Sequence, residues 1–350
     1  MSVPDTTPPR KLSRLGLYGP FALLLVFMAL WSGAWIWASG QVKTRMDAGV
    51  AVLTRAGYEV GWRERKIGGY PFRLDVTLTE PRIRDRSGWA LEAPRLEAEA
   101  FMHAPTHWLA AAPDGLTFVR PVGGPVRVEG KLIRASLTHL TATPPSFSFE
   151  GVGLTFTPGP GAQAFALSSA GRVEVHVRQA PAAVGDEGGF WVMVKDGHAQ
   201  LSGLMARIAG DKPISLEWDS RLARISALRG PDWPTAVRNW VAAGGKANVK
   251  RAGLTAGDAL IGVNSGTLGV DNDGRLSGVL ELSLRQAPRA LGAMGASGTI
   301  PQERAEAASA LTAARAGAGD LAQVTLHFEA GQTTLGPVAI AQAPKVYEAR

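Results

Sequence analysis

From Leu15 to Val42 the chain carries no charged residue, and its apolar positions run almost without interruption from Phe21 to Trp31 and on through Trp35, Ile36 and Trp37. A bilayer core of about 30 Å takes roughly 20 helical residues, so the pattern predicts a membrane helix over residues 15–40. Tyr18 near one end and Trp31, Trp35 and Trp37 near the other match interfacial aromatic belts. Ala38, Ser39 and Gly40 have the small-residue spacing of a signal cleavage site. The run nevertheless exceeds the roughly 7–15 residues of a signal core and ends in bulky tryptophans, so the expectation is an uncleaved anchor. Val42, Met46, Val50 and Leu53 then recur at helical spacing, extending the helix over 41–57 to a stop at Gly57.

Beyond Gly57 the period falls to two. Phe72, Leu74, Val76 and Leu78 alternate with Arg73, Asp75, Thr77 and Thr79, the pattern of a half-buried strand. Val126 and Val128, Phe147 and Phe149, and Val152, Leu154 and Phe156 repeat it. So do Val173, Val175 and Val177, then Ile214, Leu216 and Trp218, Leu280, Leu282 and Leu284, and Val324, Leu326 and Phe328. Tight turn signals, including Asp271 to Gly274, separate many of these runs and imply antiparallel pairing. Two helices interrupt the series. Asp232 is placed to cap one from Trp233 to about Ala243, and residues 301–315 are rich in helix formers with acidic residues in the first turn.

The predicted fold is therefore mostly β: a transmembrane helix, then an elongated, curved antiparallel sheet with a groove-like apolar face and a few short helices. Residues 1–14 form a tail on the cytoplasmic side, 15–40 the membrane helix, 41–57 its extension and 58–350 the β-rich periplasmic domain. Phe72, Leu74, Val76, Leu78, Val173, Val175, Val177, Leu280, Leu282 and Leu284 are the expected lining of one apolar interior, because a one-residue slip would turn each set into water.

Charge changes the picture little. The net charge of +7 suggests a polyanion partner until it is divided. Residues 1–45 hold five basic residues and one acidic, leaving 32 basic and 29 acidic elsewhere. Much of the excess thus flanks the apolar segment, and no basic stripe follows, which argues against nucleic acid. The flanking charges nearly balance, so orientation rests on the strand-rich, cysteine-free domain, which suits export.

Catalytic signatures are missing. There is no P-loop, and Gly262 to Gly266 lacks the spacing of a nucleophile elbow. His103 and His107 have the spacing of a helical metal pair, but Pro105 lies between them, so they read as solvated loop residues. Asp271, Asn272 and Asp273 are followed by no glutamate at the distance a calcium loop needs, and Gly274 completes a turn. No cofactor, metal or enzymatic activity is expected.

The stretch from Gly57 through Gly69, Tyr70, Pro71 and Phe72 to Leu78, together with Val324 to Pro344, resembles a proteobacterial family of unknown function with one N-terminal membrane helix. More distantly the plan resembles AsmA-type envelope proteins, an inner-membrane helix followed by strands forming an apolar groove. That resemblance implies a role in envelope biogenesis and, for the largest members, phospholipid movement; with the missing catalytic signatures, the expectation is a non-enzymatic inner-membrane protein that binds phospholipid or another lipid or helps transfer it. The alternatives are a scaffold binding another envelope protein and a periplasmic hydrolase.

Overall fold

A computed structural model describes residues 15–140, 142, 144–180, 185–199, 212–256, 259–296, 300–316 and 321–347. The two expected helical segments form a single helix, α1 (Leu15–Arg55). Its 41 residues rise about 60 Å, roughly twice the thickness of a bilayer core. The end is a Schellman arrangement: Gly57 N–H donates to Thr54 O and Tyr58 N–H to Leu53 O, both at 2.9 Å.

The strands follow in chain order. The first ten are short: β1 (Glu59–Gly61), β2 (Glu64–Gly68), β3 (Arg73–Thr79), β4 (Arg82–Arg84), β5 (Ala90–Glu92), β6 (Arg95–Phe101), β7 (Trp108–Ala111), β8 (Leu116–Arg120), β9 (Gly124–Glu129) and β10 (Leu132–Thr138). Next come β11 (Ser146–Pro158), β12 (Leu167–Gln179), β13 (Glu187–Ala199), β14 (Ile214–Ala223), β15 (Ala247–Ala256), β16 (Ala259–Val270) and β17 (Leu276–Arg285), then β18 (Leu321–Glu329), β19 (Gln332–Leu335) and β20 (Val338–Gln342). They pair antiparallel in one sheet that does not close.

The sheet divides at β11. Residues Ser146–Val152 pair with β10, and Thr155–Pro158 pair with β9. One leaf continues from β10 through β7, β6 and β3 to β2. The other continues from β9 through β8, β5 and β4 to β1. Gly153, at φ +61°, sits where the leaves part. Phe147 and Phe149 face the space between the leaves on its N-terminal side, and Leu154 and Phe156 on its C-terminal side. A side chain would resist that left-handed backbone. After β11 the strands run as a meander to β20.

Register makes the apolar face continuous. Ile67, Val76, Ala98, Ala110, Ala135, Phe149, Val175, Val192, Trp218, Ala252, Val263, Leu282 and Val324 each stand opposite the next, on thirteen strands from β2 to β18. Residues opposite one another share a face. Two bulges preserve it. Ala252 pairs with Trp218 and Val249 with Ser220, leaving Lys250 as the extra residue, and Asn264 is the extra residue between Val263 and Ser265. Val249 and Ala252, three apart, therefore both lie buried in one core.

Three further helices are α2 (Trp233–Ala242), α3 (Ala287–Ala296) and α4 (Gln302–Ala314). Asp232 caps α2 by accepting from Thr235 N–H at 2.8 Å, as the sequence predicts. Leu291 of α3 and Ala308 of α4 pack with Leu280, Leu282, Val324 and Phe328 and close the C-terminal part of the apolar face. The expected Asp271–Gly274 turn joins β16 to β17, with the Asp271 carboxylate accepting from Asp273 and Arg275 N–H.

Candidate functional site

Where the two leaves face one another they leave a half-open apolar cavity of about 370 Å³. One leaf contributes Leu96, Ala110, Ile133 and Ala135, with Ala112 just past β7. The other contributes Leu91, Leu116, Phe118, Val126 and Val128, and β11–β12 add Phe147, Phe149, Leu154, Phe156 and Val173. Ala110 and Ala135, paired across β7 and β10, present only methyl groups to this space, whereas Phe149 and Val175 follow them in the same row. Phe165 covers one side, stacked on Phe156 at 5.1 Å. Its loop is held by Arg120, which donates to Gln163 O and Gly123 O at 2.5 and 2.8 Å. Arg134, the one charged residue among the described residues that border the cavity, sends its guanidinium to the opposite face of β10, where its Nε donates to Glu150 at 2.7 Å. The interior thus offers apolar surface without a free charge, the composition that takes up hydrocarbon.

The structure distributes the ten sequence-predicted residues over four places. Val173 lines the cavity, and Val175 and Val177 continue the same face of β12, half-buried. Leu74 and Val76 are buried on β3, and Leu78 stands opposite Leu96 at the cavity wall. Leu280 and Leu282 lie in the closed core beneath α3 and α4, with Leu284 packed against it. Phe72 is a correction. It precedes β3, is 66% exposed and lies against Trp31 of α1, because the chain turns at Tyr70 and Pro71 and the alternation begins only at Arg73. Val126, Val128, Phe147, Phe149, Leu154 and Phe156 are expected from the sequence as strand positions though not as lining, and those that escaped sequence reasoning are Leu96, Ile133, the alanines, which carry no pattern, and the rest of the second leaf. Its Leu116–Phe118 pair had the two-residue spacing that could have revealed it.

The opposite face of β10–β12 is polar. Arg134, Glu150, Arg172, Glu174 and His176 form a ladder, with Arg172 paired to both glutamates. Burial pushes the Glu174 carboxyl up, but hydrogen bonds and charge from His176 and Arg172 outweigh it and hold it below the usual carboxylate range. His176 Nδ1 is 2.9 Å from Ser148 Oγ and its Nε2 is 3.2 Å from Glu174. This serine–histidine–glutamate order has the reach of a hydrolytic triad. However, Ser148 sits in mid-strand, paired on both sides with Ser136 and His176, so the nearby backbone N–H groups are engaged in the sheet rather than free for an oxyanion. His103 and His107 are exposed, stacked on Phe101 and set 6.2 Å from His139 respectively. Among the described residues no group of three or more His, Asp or Glu could hold a metal.

Helix α1 is fixed to the first leaf at two levels. Trp31 Nε1–H donates to Pro71 O at 2.8 Å, Trp35 Nε1–H donates to Arg73 O at 2.7 Å, and the Ser32 and Tyr70 hydroxyls share a hydrogen bond of 2.9 Å. Farther along, Arg65 Nη1 donates to Asp47 at 2.7 Å and, through that bond, holds the aspartate below its ordinary value.

In comparison with known proteins, residues 35–344 match the profile of a family described as "Uncharacterized protein conserved in bacteria (DUF2125)". No curated protein and no solved structure matches the chain.

Proposed function

We propose, from the premise that the chain belongs to the bacterial DUF2125 family, that it is a single-pass membrane protein whose two β-leaves take up the acyl part of a lipid. α1 is long and apolar enough to cross a bilayer, with none of that stretch buried against the protein. In this reading the N-terminus is cytoplasmic, the membrane is the bacterial inner membrane, and the sheet stands in the periplasm. The role is to bind lipid, or pass it on, in envelope biogenesis, in the manner of an AsmA-like protein and without chemistry of its own.

The cavity between the leaves carries the proposal. At about 370 Å³ it falls within the range of roughly 300–1,000 Å³ typical of small-molecule sites. Apolar area left in water costs about 25 cal/mol per Å², so an unfilled cavity of this kind favours any hydrocarbon that fits. The C-terminal part of the same face has its own cover in α3 and α4, which leaves the cavity as the open segment. The test is native mass spectrometry of the full chain released gently from the membrane. Wild type should carry lipid, Ala135→Trp should lose it by occupying the space, and Thr157→Asp, exposed on β11 beside Arg127, should retain it. Wild type free of lipid, or retention by Ala135→Trp, would contradict the reading.

A further inference from the structure

We propose that the Tyr70–Phe72 loop, with the neighbouring Phe101, is a second membrane contact that sits in the same leaflet as the end of α1. The proposal rests on α1 being an anchor but not on what fills the cavity. Tyr70, Phe72 and Phe101 are 52, 66 and 51% exposed, three large rings that keep half or more of their surface open even though Phe101 stacks on His103. Their backbones adjoin: Phe101 stands opposite Arg73, the residue after Phe72, and Met102 N–H donates to Phe72 O at 3.0 Å.

The helix fixes the depth of the Tyr70–Phe72 loop. Arg14 and Lys43 bound the charge-free run. About 20 helical residues fill a bilayer core, and any stretch of that length between these two charges contains both Trp31 and Ser32. These are the residues that bind Pro71 and Tyr70. Trp31 further packs against Phe72 at 6.4 Å, and Trp35 meets Tyr70 edge-on at 5.6 Å. A loop hydrogen-bonded to a residue within the apolar thickness is itself at the level of the acyl chains or their boundary. Continuity with the span therefore selects lipid as the cover for these rings rather than a protein.

Polarity returns where the membrane should end. Arg73 follows directly and is paired with Asp75 and Glu99, placing charge at the headgroup level. Asp47, which pairs with Arg65, lies twelve residues beyond Trp35, about 18 Å farther out along the helix. β3 therefore starts at the leaflet and leads, through Leu74, Val76 and Leu78, to Leu96 at the cavity wall.

The chain has no cysteine, so single labels are clean. Spin labels at Phe72→Cys and Phe101→Cys, in full-length protein reconstituted into phosphatidylethanolamine–phosphatidylglycerol vesicles, report accessibility to oxygen, which concentrates in lipid, and to a water-soluble nickel chelate. Met28→Cys and Ile36→Cys on the helix, and Thr157→Cys on β11, are the references. The oxygen-to-nickel ratio at 72 and 101 should match that at 36 and exceed that at 157 several-fold. Nickel-dominated ratios at 72 and 101, with 28 oxygen-dominated, would overturn the loop contact while leaving the anchor intact. Exclusion of both reagents would mean a protein cover and overturn it equally. Nickel access at 28 would overturn the anchor itself.

Discussion

Glu174 shows how single side chains tie this sheet together. Its carboxyl is 16% exposed, yet Arg172 and His176 keep it ionised below its ordinary value of 4.5. The folded state then holds the Glu174 proton more weakly than the unfolded chain. Its contribution to stability is therefore complete above that ordinary value and is lost as pH falls through the lower folded value. Glu174→Gln should lower the thermal unfolding midpoint at neutral pH, and its deficit should shrink as the pH is taken below 4.5. A deficit independent of pH would show that the carboxylate charge is not what matters. At this scale the sequence was legible where alternation was strict, as at Leu74 and Val76. It misled at Phe72, where the repeat continues in sequence but the backbone has not yet entered the strand.

Helices and strands divide the apolar face into a closed part and an open part, and substitutions should tell them apart. Leu282, 6% exposed, lies in the core that α3 and α4 cover, so Leu282→Ala should cost about 2–5 kcal/mol in chemical unfolding. Leu91 lines the cavity but is 44% exposed, and Leu91→Ala should cost less than about 1.5 kcal/mol, because nearly half of its surface stays in water after folding. Equal costs would mean that the cavity is closed in solution. Ser283, the next residue on β17, is no silent control, since it is buried and hydrogen-bonded with Asn264 and Gln323. The strands were readable from their period, and α2 from its Asp232 cap and Pro234. α3 was not, because Gly292 and Gly295 lower helix propensity. That helix owes its place to packing: a Cβ on Gly295 would lie 2.6 Å from the Ala305 methyl of α4. The bulges at Lys250 and Asn264 were equally invisible, since an unpaired residue shows only against its partner strand.

The molecule as a whole is a sheet that splits at β11 so that two apolar leaves face one another, with a long helix fixed against the first of them. The overall class was legible because a charge-free run and a two-residue period each have few structural solutions. The split was not. The chain passes back and forth between the leaves five times before β11, and such pairing is set by long-range contacts that leave no local mark. The central claim is that the space between the leaves holds lipid, and photochemical capture in living cells tests it most directly. Benzoylphenylalanine replaces Phe149, which lines the cavity, or Thr157, which is exposed on the outer side of β11. After irradiation and denaturing purification, intact mass shows what was captured. The account predicts an adduct of lipid mass at position 149 and none at 157. A protein adduct at 149, or lipid captured equally at both positions, would contradict it.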